Sequence, residues 1–377
     1  MRHESVLLRR VAGGSLVLVL TAGTPSVLPQ VSAQAQASAQ AQAQVSAQAQ
    51  ASVGRSGTAT SAPGLSGAAS PALRRADSGA AITEEKWIDA STVDLAVATP
   101  AIGTTEMVRV LVPKGWSRDA RRTWPVVYAY QGGNDDYLSW VRGSQLAELA
   151  AKWDVMVVMP SGGKNGGSAD WWNYGKRGTP RWETFHTTEV LQLLERNYRA
   201  GTRRAALGVS SGGQGAIAYA ARHPGMFRYA VSFSGILHLT KPGIPTILMV
   251  QGIPFGFDPF RVWGIPGWDD KNWKAHDPYE LAGRLRGTGL YISSGTTGLP
   301  GPYDKPFEPP LRRNVLGAVG ELIVGSTTVD FVARLKQLGI PATTHVYGNG
   351  WHNWSYWRPE LDKAWPLMMK TLRAGRV

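Results

Sequence analysis

The chain contains no cysteine, which excludes disulfide staples and a thiol nucleophile and leaves core packing to carry stability. It also lacks an H-E-x-x-H motif, and its histidines show no ligand spacing, so no metal is called for. No G-x-G-x-x-G follows a candidate strand and no G-x-x-x-x-G-K-[ST] occurs, so a nucleotide cofactor is not expected. The 40 Lys and Arg against 27 Asp and Glu give a formal charge of +13. These cations are scattered along the chain; without a basic stripe or a binding motif, nucleic acid is not an expected partner. A basic surface of this kind suits attraction to an anionic cell envelope. The N-terminal apolar run from Val11 to Thr21 is short of the roughly 20 residues a bilayer crossing needs.

That short run has the form of an export signal instead. Arg2, Arg9 and Arg10 precede it, and Val31-Ser32-Ala33 offers small residues for cleavage, so residues 1–33 read as a signal peptide. Residues 34–82 are mostly Ala, Gln, Ser and Gly, too poor in large apolar side chains to offset their ordering entropy, and read as a disordered linker. The folded domain is expected over 83–377. There, short β-branched runs (Met107 to Val112, Val126 to Tyr130, Val155 to Met159, Ala205 to Val209, Ala230 to Phe233, Leu290 to Ser293, Thr343 to Tyr347) read as strands. Helical patterns alternate with them at Leu138 to Lys152, Trp182 to Tyr198, Gln214 to His223, Val329 to Leu338 and Pro359 to Leu372. Such alternation predicts an α/β fold: a mostly parallel sheet with helices on both faces. One stretch interrupts it. Leu239 to His276 is rich in Gly, Pro and aromatics (Phe255, Phe257, Phe260, Trp263, Trp268, Trp273) and reads as a cap over an acyl pocket.

The motif that carries chemistry is Gly208-Val209-Ser210-Ser211-Gly212. With 44 glycines in the chain, a G-x-S-x-G match arises by chance about 0.4 times, so its surroundings decide its value. A strand ends before it and a helix follows, the setting of a serine nucleophile on a tight strand-to-helix turn. Glycines on both sides let strand and helix pass without a Cβ clash, and the helix N-terminus favours developing negative charge. A serine hydroxyl needs a base to take its proton. His352, in the loop between the last strand and the last helix, is the histidine in the right place. The base in turn needs a carboxylate between serine and histidine in chain order. Asp304, in the loop after the Leu290 to Ser293 strand, and Glu321 both qualify by position.

Together with these residues, Gly132-Gly133-Asn134-Asp135-Asp136-Tyr137, Val157 to Gly163, Trp182-Glu183-Thr184-Phe185 and His352-Asn353-Trp354-Ser355-Tyr356-Trp357 give the chain a resemblance to the antigen 85 type mycolyltransferases and their esterase relatives. The likeness spans nearly the whole domain. It implies the α/β-hydrolase fold, a secreted or envelope-associated enzyme, and a Ser210, Glu321, His352 triad, since the family's acid is a helical glutamate about 32 residues before the histidine. It further implies backbone oxyanion donors at Ser211 and Gly133, an acyl ester or lipid substrate, and an envelope glycan or lipid as a further partner. Where the family holds its sugar acceptor with an aspartate and an arginine, this chain has Gln131 and Asn134. Those two, with Trp351 and Trp354, are the candidate substrate contacts, and Trp171 and Trp172 join them as aromatics near the site. The resemblance implies ester hydrolysis or acyl transfer, with mycolyl or diacylglycerol-type transfer to a sugar or glycerol as the narrower version. A non-catalytic envelope-binding protein on the same scaffold is the rival from another class.

Overall fold

The computed structural model describes residues 73–163, 167–252, 258, 260–305 and 311–377. The expected signal 1–33, the linker as far as residue 72, and Phe255 and Phe257 of the expected cap lie outside the described residues. Residues 73–80, expected in the linker, are part of the folded domain: Arg74 and Asn197 exchange two hydrogen bonds of 2.7 and 2.8 Å, Ser78 donates to Glu189, and Ala76 and Ala80 are buried.

Among the described residues, nine strands form one sheet in the order β1-β2-β3-β5-β4-β6-β7-β8-β9. They are β1 Ala81–Trp87, β2 Thr92–Thr99, β3 Thr104–Leu111, β4 Trp124–Tyr130, β5 Met156–Pro160, β6 Ala200–Val209, β7 Tyr229–Phe233, β8 Gly289–Ser294 and β9 Thr343–Val346. From β5 through β9 every neighbouring pair is parallel, and β1, β2 and β3 add an antiparallel edge. Alternate residues of the central strands enter two separate cores. Val126, Tyr128 and Ala206 pack with α3 (Val190–Asn197) and α4 (Ser211–Arg222), while Val127, Ala129, Ala205 and Leu207 pack with α1 (Ser139–Gly143), α2 (Leu146–Ala150) and, further along the chain, the C-terminal helix Trp354–Leu372. That period-2 split across a sheet covered on both faces is why β4 to β7 read as nearly unbroken apolar runs.

One difference from the expected elements has a local cause. The single helix expected over Leu138 to Lys152 is broken into α1 and α2 at Ser144, which is extended and caps α1 by giving both its N–H, at 3.0 Å, and its hydroxyl, at 2.6 Å, to the Trp140 carbonyl. The expected cap comprises α5 (Ile244–Gly252), α6 (Phe260–Trp263) and α7 (Asp270–His276), and Leu239, Val262, Trp263 and Trp273 bury against Ala169 in a small core of their own.

Helix α8 (Leu311–Gln337) begins 18 residues before its expected start at Val329. Its Val315–Gln337 stretch is long and apolar enough to cross a membrane by composition. One side of it buries Glu321, Val324, Thr327, Thr328, Phe331 and Leu335, while Val315, Leu316, Val319, Leu322 and Val329 are exposed. Gly325 permits the approach, since a Cβ there would stand 2.1 Å from the Gly295 carbonyl oxygen. The last helix, α9 (Trp354–Leu372), starts at a cap formed by Asn353, whose side chain accepts from the Ser355 N–H.

Candidate active site

Ser210 sits between β6 and α4 with φ 55° and ψ −126°, a backbone conformation that non-glycine residues rarely adopt. Its N–H donates to the Phe233 carbonyl at 2.8 Å, which fixes the bend. The flanking glycines are sterically required. A Cβ on Gly208 would lie 2.0 Å from the Gly212 carbonyl oxygen, and one on Gly212 would lie 2.3 Å from that of Gln131. The serine side chain therefore projects from the C-terminal edge of the central strands, at the first turn of a helix.

His352 arrives from the loop after β9 and Glu321 from the inner face of α8. His352 Nε2 lies 2.9 Å from Ser210 Oγ, and His352 Nδ1 lies 2.8 Å from Glu321 Oε2. A carboxylate accepts only, so Nδ1 carries the ring proton and Nε2 is left to accept from the serine hydroxyl. The Glu321 side chain is wholly buried and that of His352 is 19% exposed. The buried carboxylate is fully occupied: its Oε1 accepts from Ser234 Oγ at 2.9 Å, Ser294 Oγ at 3.1 Å and the Gly295 N–H at 2.6 Å. Without such partners a buried carboxylate would be strongly penalised.

The turn after β4 closes on the serine from the other side. A Cβ on Gly132 would be 3.4 Å from that of Ser210, and Gly133 and Asn134 are exposed at the tip, Asn134 in a left-handed conformation with φ 58°. The Ser211 N–H belongs to the first turn of α4, where helical amides have no partner inside the helix. Gln131, expected among the substrate contacts, is buried and serves the turn itself. Its Oε1 accepts from the Gly162 N–H at 3.1 Å, and its Nε2 donates to the Asp135 carbonyl at 2.5 Å and less closely to that of Gly163.

The tryptophans are likewise turned to packing. Trp351 is buried and donates to the Gly298 carbonyl at 2.9 Å; Trp354 meets Trp140 and Trp357 edge to face and lies over Gly143, where a Cβ would overlap its ring. Trp171 and Trp172 lie under the guanidinium groups of Arg261 and Arg177. Asp304 does not bond the His352 ring, both of whose nitrogens are taken by Ser210 and Glu321. The carboxylate accepts instead from Tyr356, Asn353 and Gly301.

Three contributors have no signal as motifs. Ser234, itself left-handed with φ 51°, donates to Glu321 and accepts from Trp357 Nε1 at 3.0 Å; Trp357 in turn packs edge-on to the His352 ring at 5.0 Å. Ser294 completes the carboxylate's surroundings. Near the turn after β4, buried His186 bonds the Ser161 carbonyl through Nε2 at 2.7 Å and the Tyr219 hydroxyl through Nδ1 at 2.9 Å, and burial lowers its pKa to about 4. Among the described residues no group of three His, Asp or Glu is placed to hold a metal ion.

A mainly parallel sheet with helices on both faces, and a serine on a strained strand-to-helix turn facing a histidine, define the α/β-hydrolase class of serine hydrolases. Solved structures agree on the fold. The chain superposes on Mycobacterium tuberculosis MPT51 (FbpC1) with a TM-score of 0.59 at 24% identity, covering 74% of this chain and 97% of that one. Against Staphylococcus aureus FphF, a fluorophosphonate-binding serine hydrolase, the TM-score is 0.53 at 18% identity, over 74% and 98%. The chain belongs to the Esterase family ("Putative esterase"), whose model matches residues 99–368, and is of the ester hydrolase and acyltransferase type. It is 30% identical over 262 residues to the diacylglycerol acyltransferase/mycolyltransferase Ag85B of Mycobacterium leprae, covering 66% of this chain and 77% of the relative. It is also 30% identical over 261 residues to Esterase Rv1288 of Mycobacterium tuberculosis, covering 67% of this chain and 54% of that larger protein.

Proposed function

We propose that the chain is an exported serine ester hydrolase or acyltransferase that works through an acyl-enzyme at Ser210. The observation that carries this reading is the continuous hydrogen-bonded line from Ser210 Oγ through His352 to Glu321, at 2.9 and 2.8 Å. Ser210 Oγ attacks the ester carbonyl carbon as its proton passes to His352 Nε2. The imidazolium so formed is stabilised by Glu321 across Nδ1. The tetrahedral oxyanion is held by the N–H groups of Ser211 and Gly133, each donor worth roughly 3 kcal/mol. Collapse expels the alcohol, which takes the proton from Nε2. Water or a second alcohol then gives its proton to Nε2 and attacks the acyl carbon; the bond from that carbon to Ser210 Oγ breaks, Oγ takes the proton back from Nε2, and the acid or new ester leaves.

The acyltransferase version, with a sugar or glycerol acceptor, draws on the names of the mycobacterial relatives. Acceptor recognition through the Gln131 side chain is disfavoured, because its amide is engaged inside the protein; exposed Asn134 remains beside the oxyanion turn. The segment over 239–276 would cap the acyl pocket. Export rests on the basic and apolar character of residues 1–33, and the N-terminal sequence of the protein recovered outside the cell tests it. For activity, the test is fluorophosphonate labelling and short-chain ester turnover, wild type against Ser210→Ala, with trehalose or glycerol added to look for acylated product. A wild-type protein that neither labels nor turns over any ester leaves the envelope-binding scaffold as the correct reading.

A further inference from the structure

Asp304 is a partly buried carboxylate with three donors converging on it and no part in the line from Ser210 to Glu321. Tyr356 O–H and the Gly301 N–H meet its Oδ2 at 2.6 and 3.0 Å, and Asn353 Nδ2 meets its Oδ1 at 3.1 Å. Because a carboxylate only accepts, it decides which way the Asn353 amide faces: Nδ2 toward Asp304, Oδ1 toward the Ser355 N–H at 2.9 Å. Asn353 is bonded directly to His352. The same carboxylate fixes Tyr356, whose ring stacks with Tyr347 at 5.6 Å against the histidine loop; a Cβ on Gly350 would come within 2.6 Å of the first ring and 2.9 Å of the second.

The loop carrying Asp304 is laced to the histidine loop throughout. The Gly350 N–H donates to Leu299, Trp351 Nε1 to Gly298 and Thr297 Oγ1 to Asn349, all within 2.9 Å. From the opposite side, the His352 N–H donates to the Gly317 carbonyl of α8 at 3.0 Å. His352 is thus suspended between α8, which brings its acid partner, and a second loop anchored at Asp304.

We propose that Asp304 is a positioning residue that holds His352 in line with Ser210 and Glu321, acting through Asn353 and Tyr356. It rests on the reading of His352 as the base. Losing that line by about 1 Å lowers turnover by up to about 100-fold without removing any reacting group.

The test uses the purified full chain, a short-chain nitrophenyl ester, and proton NMR of the low-field His352 Nδ1 proton, assigned by its loss in His352→Ala. Asp304→Ala and the conservative Asp304→Asn, each checked by thermal melting, are expected to lower kcat about 10- to 100-fold with KM changed less than about twofold, and to broaden or abolish the low-field proton. In the His352→Ala background, Asp304→Ala should lower the residual rate no further. A folded Asp304→Asn protein that keeps both kcat and the low-field proton overturns the proposal, as does an undiminished loss in the His352→Ala background, or a wild-type spectrum without that proton. If wild type turns over no ester, the enzyme reading fails separately, and the proton decides: retained in Asp304→Asn, the positioning role is refuted; lost in a protein that melts normally, it stands.

Discussion

Replacing Glu321 by glutamine isolates one proton. The glutamine side chain matches the glutamate in shape, and three donors, the Ser234 and Ser294 hydroxyls and the Gly295 N–H, already converge on Oε1. They hold the amide oxygen there, so the new NH₂ faces His352 Nδ1 at the position now occupied by Oε2, 2.8 Å away. Two donors cannot face each other, so Nδ1 must become the acceptor and the ring proton must move to Nε2. Nε2 then points a hydrogen at Ser210 Oγ and has no lone pair with which to take the serine proton. In serine proteases the corresponding carboxylate-to-amide change lowers kcat about 10⁴-fold, or about 5.4 kcal/mol at 1.36 kcal/mol per factor of ten. The same loss is expected here, read as kcat for a nitrophenyl ester and as the rate of fluorophosphonate labelling. KM should change little, because the substituted group never touches the substrate. A folded Glu321→Gln protein retaining kcat within about tenfold of wild type would refute the assignment of Glu321 as the orienting acid.

Ser234→Ala removes one donor to Glu321 and the acceptor of Trp357 Nε1, and should lower kcat about tenfold while leaving fluorophosphonate able to label the protein at a reduced rate; an unchanged kcat would show that Ser234 contributes packing alone. Gly212→Ala should destabilise the fold by about 3 kcal/mol or abolish soluble expression, since the added Cβ meets two backbone carbonyls, as near as 2.3 Å; a denaturation midpoint within error of wild type would contradict that. Burial holds the His186 pKa at about 4 in the folded chain against 6.5 for the free side chain. The unfolded chain therefore binds a proton that the folded one does not, and the stability present above pH 6.5 declines progressively between about 6.5 and 4, by up to roughly 3 kcal/mol. Melting temperatures recorded across that range, flattened in His186→Gln, test the sign. Glu183 acts with the same sign in a lower window. Burial alone would raise its pKa, but the hydrogen bond from His223 and the Arg222 guanidinium outweigh it and hold the pKa at about 2, so its contribution is full above about pH 4.5 and is lost as pH falls toward 2.

What could be read in the chain divides along a physical line. β4 to β8 are legible because strands buried on both faces must be continuously apolar. β1 and β2 are not: β1 is an exposed edge, and β2 is a Thr and Ala-containing strand with Asp94 inside it, held by Arg109 of β3 at 2.7 Å, a pairing no single segment reveals. Ser210 and His352 stand out because their surroundings are local: glycines within two residues, or a loop between a strand and a helix. The choice between Asp304 and Glu321 is not local. Both precede His352 in suitable places, and only the packing of α8 across the end of β8 brings one carboxylate to the imidazole and leaves the other beneath the loop. Gln131, Trp351 and Trp354 show the converse: their chain positions beside the motif are as expected, but a residue's neighbourhood in sequence does not say whether its side chain faces the substrate or the fold.

The edge strand β9 has a consequence for how the protein ages. It is four residues long, exposed throughout, and paired to β8 alone at the end of the sheet, yet the histidine loop follows directly from it. Fraying at that margin would remove the histidine loop's attachment to the sheet and leave it held by α8 and the 297–304 loop, so activity is expected to fall before the centre of the sheet melts. Reinforcing the seam between the loops at 297–304 and 348–356 is therefore a more direct route to a longer-lived protein than any change in the core.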